Sequence, residues 1–336
     1  MEDRRIGISL LAFSADQHAG IGTYTVGLTK ALTERAPDRY TVFVPPRHES
    51  LWRQALPPAV NVVLCGPDPR HRTLRVAFEQ TGLRRLALEH GLHTLFFPHL
   101  FAPLWKTPRA VVTVYDLLLL SSATDFPWYK RAYQRLAYRQ VGARATHIVT
   151  ISEFCHRDIV RRLAVPPARV TVAAPGLDAE FAGEPPPEGP GLDLPERYLL
   201  SVAGSYPHKR LHTVLDAFVR VCNEVPDLRL VVAGTYAGER DAVPALLAAA
   251  QQKGVASRVH VLPRVERAGM RRMFSGAAVL VSASEIEGFG IPIIEAMAVG
   301  CPVAASPAEA VVEVLGGCGW VAADFVVPAM VKSPGS

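Results

Sequence analysis

Two glutamates, Glu287 and Glu295, stand with seven residues between them within the stretch Val279 to Ser306, which reads VLVSASEIEGFGIPIIEAMAVGCPVAAS. Carboxylates accept hydrogen bonds from hydroxyls. The turn between them, Glu287-Gly288-Phe289-Gly290, and the helix start that follows offer backbone N–H groups, which favour an anion. Acceptors for hydroxyls beside donors for a phosphate suit a nucleotide sugar. The plainer alternatives are a Glu placed for the helix dipole and a Gly-Phe-Gly that is only a turn. The elements that must hold these groups are legible. Val279 onward is an apolar run with a small-residue end, the pattern of a buried parallel strand. Pro292 stands in the first turn of a helix. That helix runs through Ile293, Ile294, Ala296 and Met297, stops at Gly300, and leads to a second strand from Pro302 to Ala305. The result is a βαβ unit whose loop lies at the carboxyl ends of its strands, where open α/β sheets bind ligands.

Other stretches carry chemistry of the same kind. Arg5 to Phe13 reads as a strand, the loop Ser14 to Gly22 holds His18, Gly20 and Gly22, and a helix is expected from Thr23 to about Arg35. A strand, a glycine loop and a helix make a place for a phosphate, although many such turns need glycine for backbone reasons alone. A second strand, Tyr198 to Ala203, runs into Gly204-Ser205-Tyr206-Pro207-His208-Lys209-Arg210 and a helix from Leu211. The strand Val111 to Val114 ends in Tyr115-Asp116-Leu117, and His99 closes the strand before it. His99 reads either as a structural histidine or as a group lining a site.

The string E-G-F-G-I-P-I-I-E followed by A-M-A-x-G-C-P-V resembles the signature of the retaining glycosyltransferases of family 4, which have the GT-B fold. The resemblance implies two Rossmann-like, doubly wound α/β domains facing each other across a cleft that binds the donor. Gly20-Ile21-Gly22-Thr23-Tyr24 is similar to the family's N-terminal glycine loop, which lies against the donor diphosphate. Gly204 to Arg210 resembles the family's G-S-x-x-P-H-K-N, which implies diphosphate binding by Lys209, assisted by Arg210 where Asn is common. By the same resemblance Glu295 accepts from the ribose hydroxyls, and Glu287 holds the sugar with the Gly288, Phe289 and Gly290 amides. The catalytic set so implied is Glu287, Lys209 and Asp116. Cleaving a glycosyl–phosphate bond builds charge on the leaving oxygen, which a fixed ammonium stabilises. Tyr115 takes the place of the His in the family's His-Asp-Leu; a phenol donates and accepts but is no base near neutral pH. Tyr115 and His99 are then expected on the acceptor or sugar side.

The implied reaction is retaining transfer of a hexose from a nucleotide-diphosphate sugar, without a metal or any cofactor beyond the donor. Mannose from GDP-mannose is preferred, because the P-H-K loop and I-P-I-I-E resemble mannosyltransferases of the family. The expected acceptor is a growing glycan, with a lipid-linked form at the inner membrane face as one version. The alternative is a catalytically impaired or truncated nucleotide-sugar-binding protein of the same fold. The resemblance spans about residues 5 to 322, and the C-terminal part looks shortened against the family.

A chain of 336 residues exceeds what one core supports. Domains are expected at 1–180 and 198–336, joined by a linker at 181–197 that contains Pro185-Pro186-Pro187. Strands are expected at Tyr40–Val44, Val60–Leu64, Thr94–Phe97, Ala110–Tyr115, Thr146–Ser152 and Val170–Ala174, with Ser152 capping the following helix. Helices are expected at Leu74–His90 and Trp128–Ala143, and such alternation means a parallel sheet. In the second half, Leu228–Ala233 and Val259–Leu262 read as strands, and Pro263-Arg264-Val265 resembles a segment that flanks the base in the family. The five cysteines lack metal-ligand spacing and read as reduced thiols of a cytoplasmic protein. Met1-Glu2-Asp3-Arg4-Arg5 runs straight into a strand-like segment, so no export signal is expected.

Charge is uneven. Lys130 to Arg162 holds eight Lys/Arg against Glu153 and Asp158, with Trp128, Tyr129, Tyr133 and Tyr138 interleaved, while the whole chain is only +5. This patch suits an anionic membrane surface, an anionic acceptor, or a solvated helix face. Nucleic acid is not expected, since no recognised binding motif accompanies the charge. A dinucleotide-dependent oxidoreductase is disfavoured, because no G-x-G-x-x-G with an acidic residue about 20 positions on is present.

Overall fold

The computed structural model of the chain describes residues 5–13, 20–106, 108–120, 128–183, 192–204, 206–234, 243–262 and 265–324. Two compact units divide the chain after Gly176. Each is built on a parallel sheet, as strands alternating with helices require.

The first unit runs β1 (Ile6–Ser9), α1 (Gly20–Arg35), β2 (Tyr40–Val44), α2 (Glu49–Ala55), β3 (Asn61–Leu64), α3 (Arg72–Gln80), α4 (Gly82–Glu89), β4 (Thr94–Phe97), β5 (Arg109–Thr113), α5 (Trp128–Arg144), β6 (His147–Thr150), α6 (Glu153–Leu163) and β7 (Val170–Val172). Its sheet has the order β3-β2-β1-β4-β5-β6-β7. The order reverses between β1 and β4, and that reversal is where a doubly wound sheet opens a crevice.

The second unit runs β8 (Tyr198–Val202), α7 (Leu211–Cys222), β9 (Arg229–Ala233), α8 (Val243–Gln252), β10 (Val259–Val261), α9 (Arg267–Gly276), β11 (Val279–Ser282), α10 (Ile291–Ala298), β12 (Val303–Ala305), α11 (Glu309–Leu315) and β13 (Trp320–Val321). The order is β10-β9-β8-β11-β12-β13, reversing between β8 and β11. Leu177 to Phe181 packs with this unit, because Phe181 is buried in its core against Phe274. The expected linker prolines lie outside the described residues.

Both faces of each sheet are covered, and the strands show why they read as unbroken apolar runs. In β2, Val42 and Val44 enter one core while Phe43 enters the other. In β9, Val231 and Ala233 belong to one core, Leu230 and Val232 to its opposite. Side chains alternate across a strand, so strands such as these feed two cores at once.

Two expectations need correction. The helix expected over Leu74–His90 is two helices, α3 and α4, broken at Thr81. Gly82 lies so close to the Phe78 ring that a β-carbon there would collide with it. Gln80 is held by Ala102 O at 2.8 Å and by the Leu104 N–H at 3.1 Å, so tertiary bonds fix the bend at a residue of poor helix propensity. Helix α1, expected from Thr23, starts at Gly20. Gly20 and Gly22 are therefore helical, and His18 lies outside the described residues. The buried face of α1 is Thr25, Thr29 and Thr33, and each hydroxyl donates to a carbonyl one turn back at 2.7–2.8 Å. Hydroxyls satisfied inside their own helix can be buried without cost to the core. Among the described residues no helix is long and apolar enough to cross a membrane.

Candidate active site

In the second unit the sheet reversal brings two loops together. The loop after β8 ends in a short turn, Pro207–Lys209, and the loop after β11 carries Glu287. Glu285 N–H donates to His208 O at 2.8 Å, tying one loop to the other. Across that tie Lys209 Nζ lies 2.5 Å from Glu287 Oε1, with both side chains largely buried. An ammonium has three donors, so this one bond does not exhaust it. Burial and the Lys209 charge push His208 down to about 4, so its imidazole is neutral at physiological pH and stacks on Tyr206. Lys209 is then the fixed cation here.

Arg210 follows with φ 48°, the left-handed region that a non-glycine residue with a long side chain rarely adopts. Asn tolerates that conformation better, which explains why the resembling loop usually carries Asn. A non-glycine held there is strained, and strain of this kind gathers at functional sites. Gly290 is similarly constrained. Its φ is +100° and a β-carbon would reach within 3.0 Å of Ile293 Cδ1, so only glycine fits. It caps α10, with Pro292 in the first turn as expected. Phe289 is buried between the two glutamates in sequence.

Glu295, on α10, is buried to 2% exposure. Arg267 Nη1 donates to its Oε1 at 2.5 Å, and Arg267 Nη2 donates to Asp178 Oδ2 at 3.1 Å. The guanidinium also sits 4.9 Å from the Phe181 ring centroid. Burial pushes the Glu295 carboxyl up, and Arg267 opposes that shift. Neither Arg267 nor Asp178 stood out as a site residue in the sequence. One local signal existed. Arg267 is the first residue of α9, where the helix dipole disfavours a cation, although Glu266 precedes it at the N-cap. Such a conflict with local preference points to a tertiary partner. Ser205, Pro263 and Arg264 lie outside the described residues.

The first unit gathers a second set. Tyr115, just past β5, donates its hydroxyl to Pro98 O at 2.8 Å and lies 3.1 Å from Thr25 Oγ1. Tyr24 meets its ring edge-on. Burial pushes the Tyr115 phenol well above its usual range, so it is no base at neutral pH. Helix α1, the end of β4 and the end of β5 therefore converge, with Gly20 and Gly22 in the first turn of α1. Asp116 Oδ1 accepts from the Leu118 N–H at 2.9 Å, a local turn bond. His99 is buried among Phe13, Phe97 and Phe101, and its Nε2 lies 3.1 Å from Glu79 Oε1. Glu79, fully buried, also pairs with Arg75 at 3.4 Å and takes the Ser9 hydroxyl at 3.3 Å. The structure thus places His99 inside a buried ion cluster.

Comparison with known proteins is consistent with this arrangement. Residues 18–181 match the family described as Glycosyltransferase Family 4, and residues 187–324 match Glycosyl transferases group 1. The O-antigen chain mannosyltransferase B of Escherichia coli is 25% identical over 243 residues, covering 69% of this chain and 60% of that protein. A D-inositol 3-phosphate glycosyltransferase of Mycobacterium tuberculosis is 30% identical over 209 residues, covering 60% of this chain and 42% of its own length. The chain thus spans less than two thirds of either relative. Among solved structures, Anabaena Alr3699/HepE in complex with UDP-glucose superposes with a TM-score of 0.68 at 16% identity, covering 96% of this chain and 86% of that one. Sucrose-phosphate synthase from Thermosynechococcus elongatus gives 0.70 at 17% identity, covering 97% and 87%.

Proposed function

The chain belongs to the family 4, group 1 glycosyltransferases and has their GT-B fold, and from that premise we propose that it transfers a hexose from a nucleotide-diphosphate sugar to an acceptor hydroxyl, with retention. The observation that carries the reading is the Lys209–Glu287 pair at the sheet reversal, on the loop that leads into α10, the helix that carries Glu295. In this reading Lys209, with Arg210, holds the diphosphate. Glu287 and the Gly288–Gly290 backbone hold sugar hydroxyls, and Glu295 holds the ribose. The bond from the anomeric carbon to the diphosphate oxygen breaks, and Lys209 stabilises the charge that this oxygen gains. A diphosphate oxygen takes the acceptor proton, so no dedicated base and no metal is required. Tyr115 fits this scheme, since its phenol is committed to Pro98 and Thr25.

Mannose from GDP-mannose is the preferred donor, supported by the mannosyltransferase relative, while the Anabaena structure holds UDP-glucose. Thermal unfolding with GDP, UDP, ADP and their hexose conjugates decides between them. A ligand at 100 times its dissociation constant adds about 2.7 kcal/mol to stability, an easily seen rise in Tm. One nucleotide family should give it; a flat result with all of them would refute donor binding. Binding without turnover on any glycan acceptor would instead favour a nucleotide-sugar-binding protein.

The acceptor is read as a glycan or lipid-linked glycan, and α5 supports a membrane-facing version. Its 17 residues contain no acid; Trp128, Tyr133 and Leu136 are exposed, with Arg135 and Arg139 exposed beside them. Cations flanking exposed rings suit an anionic bilayer surface. The protein should co-sediment with phosphatidylglycerol vesicles but not with phosphatidylcholine vesicles, and less as salt rises. Arg135→Glu with Arg139→Glu should abolish it. Equal sedimentation with both lipids, or none, would leave α5 as a solvated face.

A further inference from the structure

A carboxylate as deeply buried as Glu295 has to be compensated, and the way Arg267 does so is specific. Arg267 binds only one of its oxygens, Oε1. Among the described residues Oε2 has no hydrogen-bond partner, so one acceptor is anchored and the other is available. Arg267 is itself fixed on three sides: by Glu295 on Nη1, by Asp178 on Nη2, and by the Phe181 ring beneath its plane. A planar guanidinium held at both ends has little freedom left. One turn further along α9, Arg271 Nη1 donates to Glu180 O at 2.6 Å and its Nη2 to Gly183 O. Two arginines of one helix thus grip the segment 178–183, and the grip sets the height and angle of Arg267 against α10.

We propose that Arg267 is a positioning residue for nucleotide recognition, orienting the Glu295 carboxylate so that its second oxygen accepts from the ribose hydroxyls. This rests on the reading of Glu295 as the ribose-binding carboxylate. A second consequence concerns charge. The charged groups bearing on Glu295 among the described residues are Arg267 of α9 and Asp178 of the preceding segment. Burial and Asp178 push the carboxyl up; Arg267 pulls it down. Without Arg267 both remaining influences act in one direction, so the carboxyl takes up a proton at a higher pH. A protonated acid has fewer acceptor sites for a vicinal diol. Ribose preference should then weaken at low pH and recover as pH rises.

The test is calorimetric titration with the nucleoside diphosphate that binds, chosen from GDP, UDP and ADP, and with its 2′-deoxy form, at several pH values from 6 to 9. Wild type should prefer the ribose form by roughly tenfold or more, the scale of one hydrogen bond to a charged group. Arg267→Ala should lose that preference at pH 7 and regain part of it by pH 9. Arg267→Lys keeps the charge without the fork, and should show a reduced but pH-independent preference; it decides the matter if Arg267→Ala does not fold. A purely structural arginine would weaken both ligands equally and leave their ratio unchanged, which overturns the proposal. If wild type shows a preference that Glu295→Gln loses and both Arg267 variants keep, Arg267 alone is refuted. If wild type shows no preference and Glu295→Gln binds like it, the reading of Glu295 falls and the proposal with it.

Discussion

Lys209→Ala is expected to lower kcat by roughly 10²–10³-fold, the loss seen when one preorganised group facing developing charge is removed. The argument is geometric. Lys209 is held by Glu287 at 2.5 Å on a turn tied to the β11 loop, so it need not reorganise when the leaving diphosphate gains charge. Its neighbour His208 cannot substitute, because burial keeps that imidazole neutral down to about pH 4. Initial rates against donor concentration separate the possibilities. A rise in KM with kcat intact would mean that Lys209 only helps the donor to bind. A kcat within about threefold of wild type would remove it from the chemistry altogether. Lys209→Arg should recover part of the rate, since it keeps the charge but not the reach.

The second large effect is on stability. Glu79→Ala should destabilise the first unit by about 3–5 kcal/mol, the usual result of removing one partner from a buried ion pair. Glu79 is fully buried and holds His99, Arg75 and Ser9 together, so its loss leaves a guanidinium without its counter-charge and an imidazole without its hydrogen-bond partner. Burial raises its carboxyl, but His99, Arg75 and Ser9 outweigh that and hold it below the ordinary carboxylate range. A depressed carboxyl stabilises the fold above its unfolded pKa and loses that contribution as pH falls. The penalty should therefore be greatest near pH 7 and shrink in acid, as urea titrations followed by the buried Trp52 and Trp105 would show. A loss under about 1 kcal/mol at pH 7 would mean that the cluster is only incidental.

Why some of this was readable from the sequence and some not follows from range. The βαβ unit around Glu287 and Glu295 was legible because its signals are local: an apolar run, Gly290, Pro292 and Gly300 each act on the backbone within a few residues. Ser152 capping α6, with the Cys155 N–H donating to its hydroxyl at 3.1 Å, is the same kind of signal. Arg267 reaches Glu295 and Asp178 across 28 and 89 residues of sequence, and no period encodes such a pair. The break at Thr81 hid for a related reason, since the pattern over 74–90 is helical and the bend is imposed by Ala102 and Leu104. The early start of α1 was missed because its first turn is Gly20-Ile21-Gly22, and glycine is a poor helix former that reads as loop.

The division of a central strand between two cores bears on how such a protein can change over time. In β8, Leu200 packs into one core and Leu199 into the other, and the strand pairs with β11 through Val279 and Leu280. Sliding β8 by one residue would exchange every side chain between cores of different shape and move the Lys209 turn by about 3.3 Å. That step is far larger than the tolerance of an ion pair. The separation of Lys209 and Glu287 is thus inherited from the strand register, and insertions inside β8 or β11 would be lethal to the pair. Insertions in loops that carry neither residue would spare it, so new donors and acceptors can be explored there while the ammonium and the carboxylate stay in place.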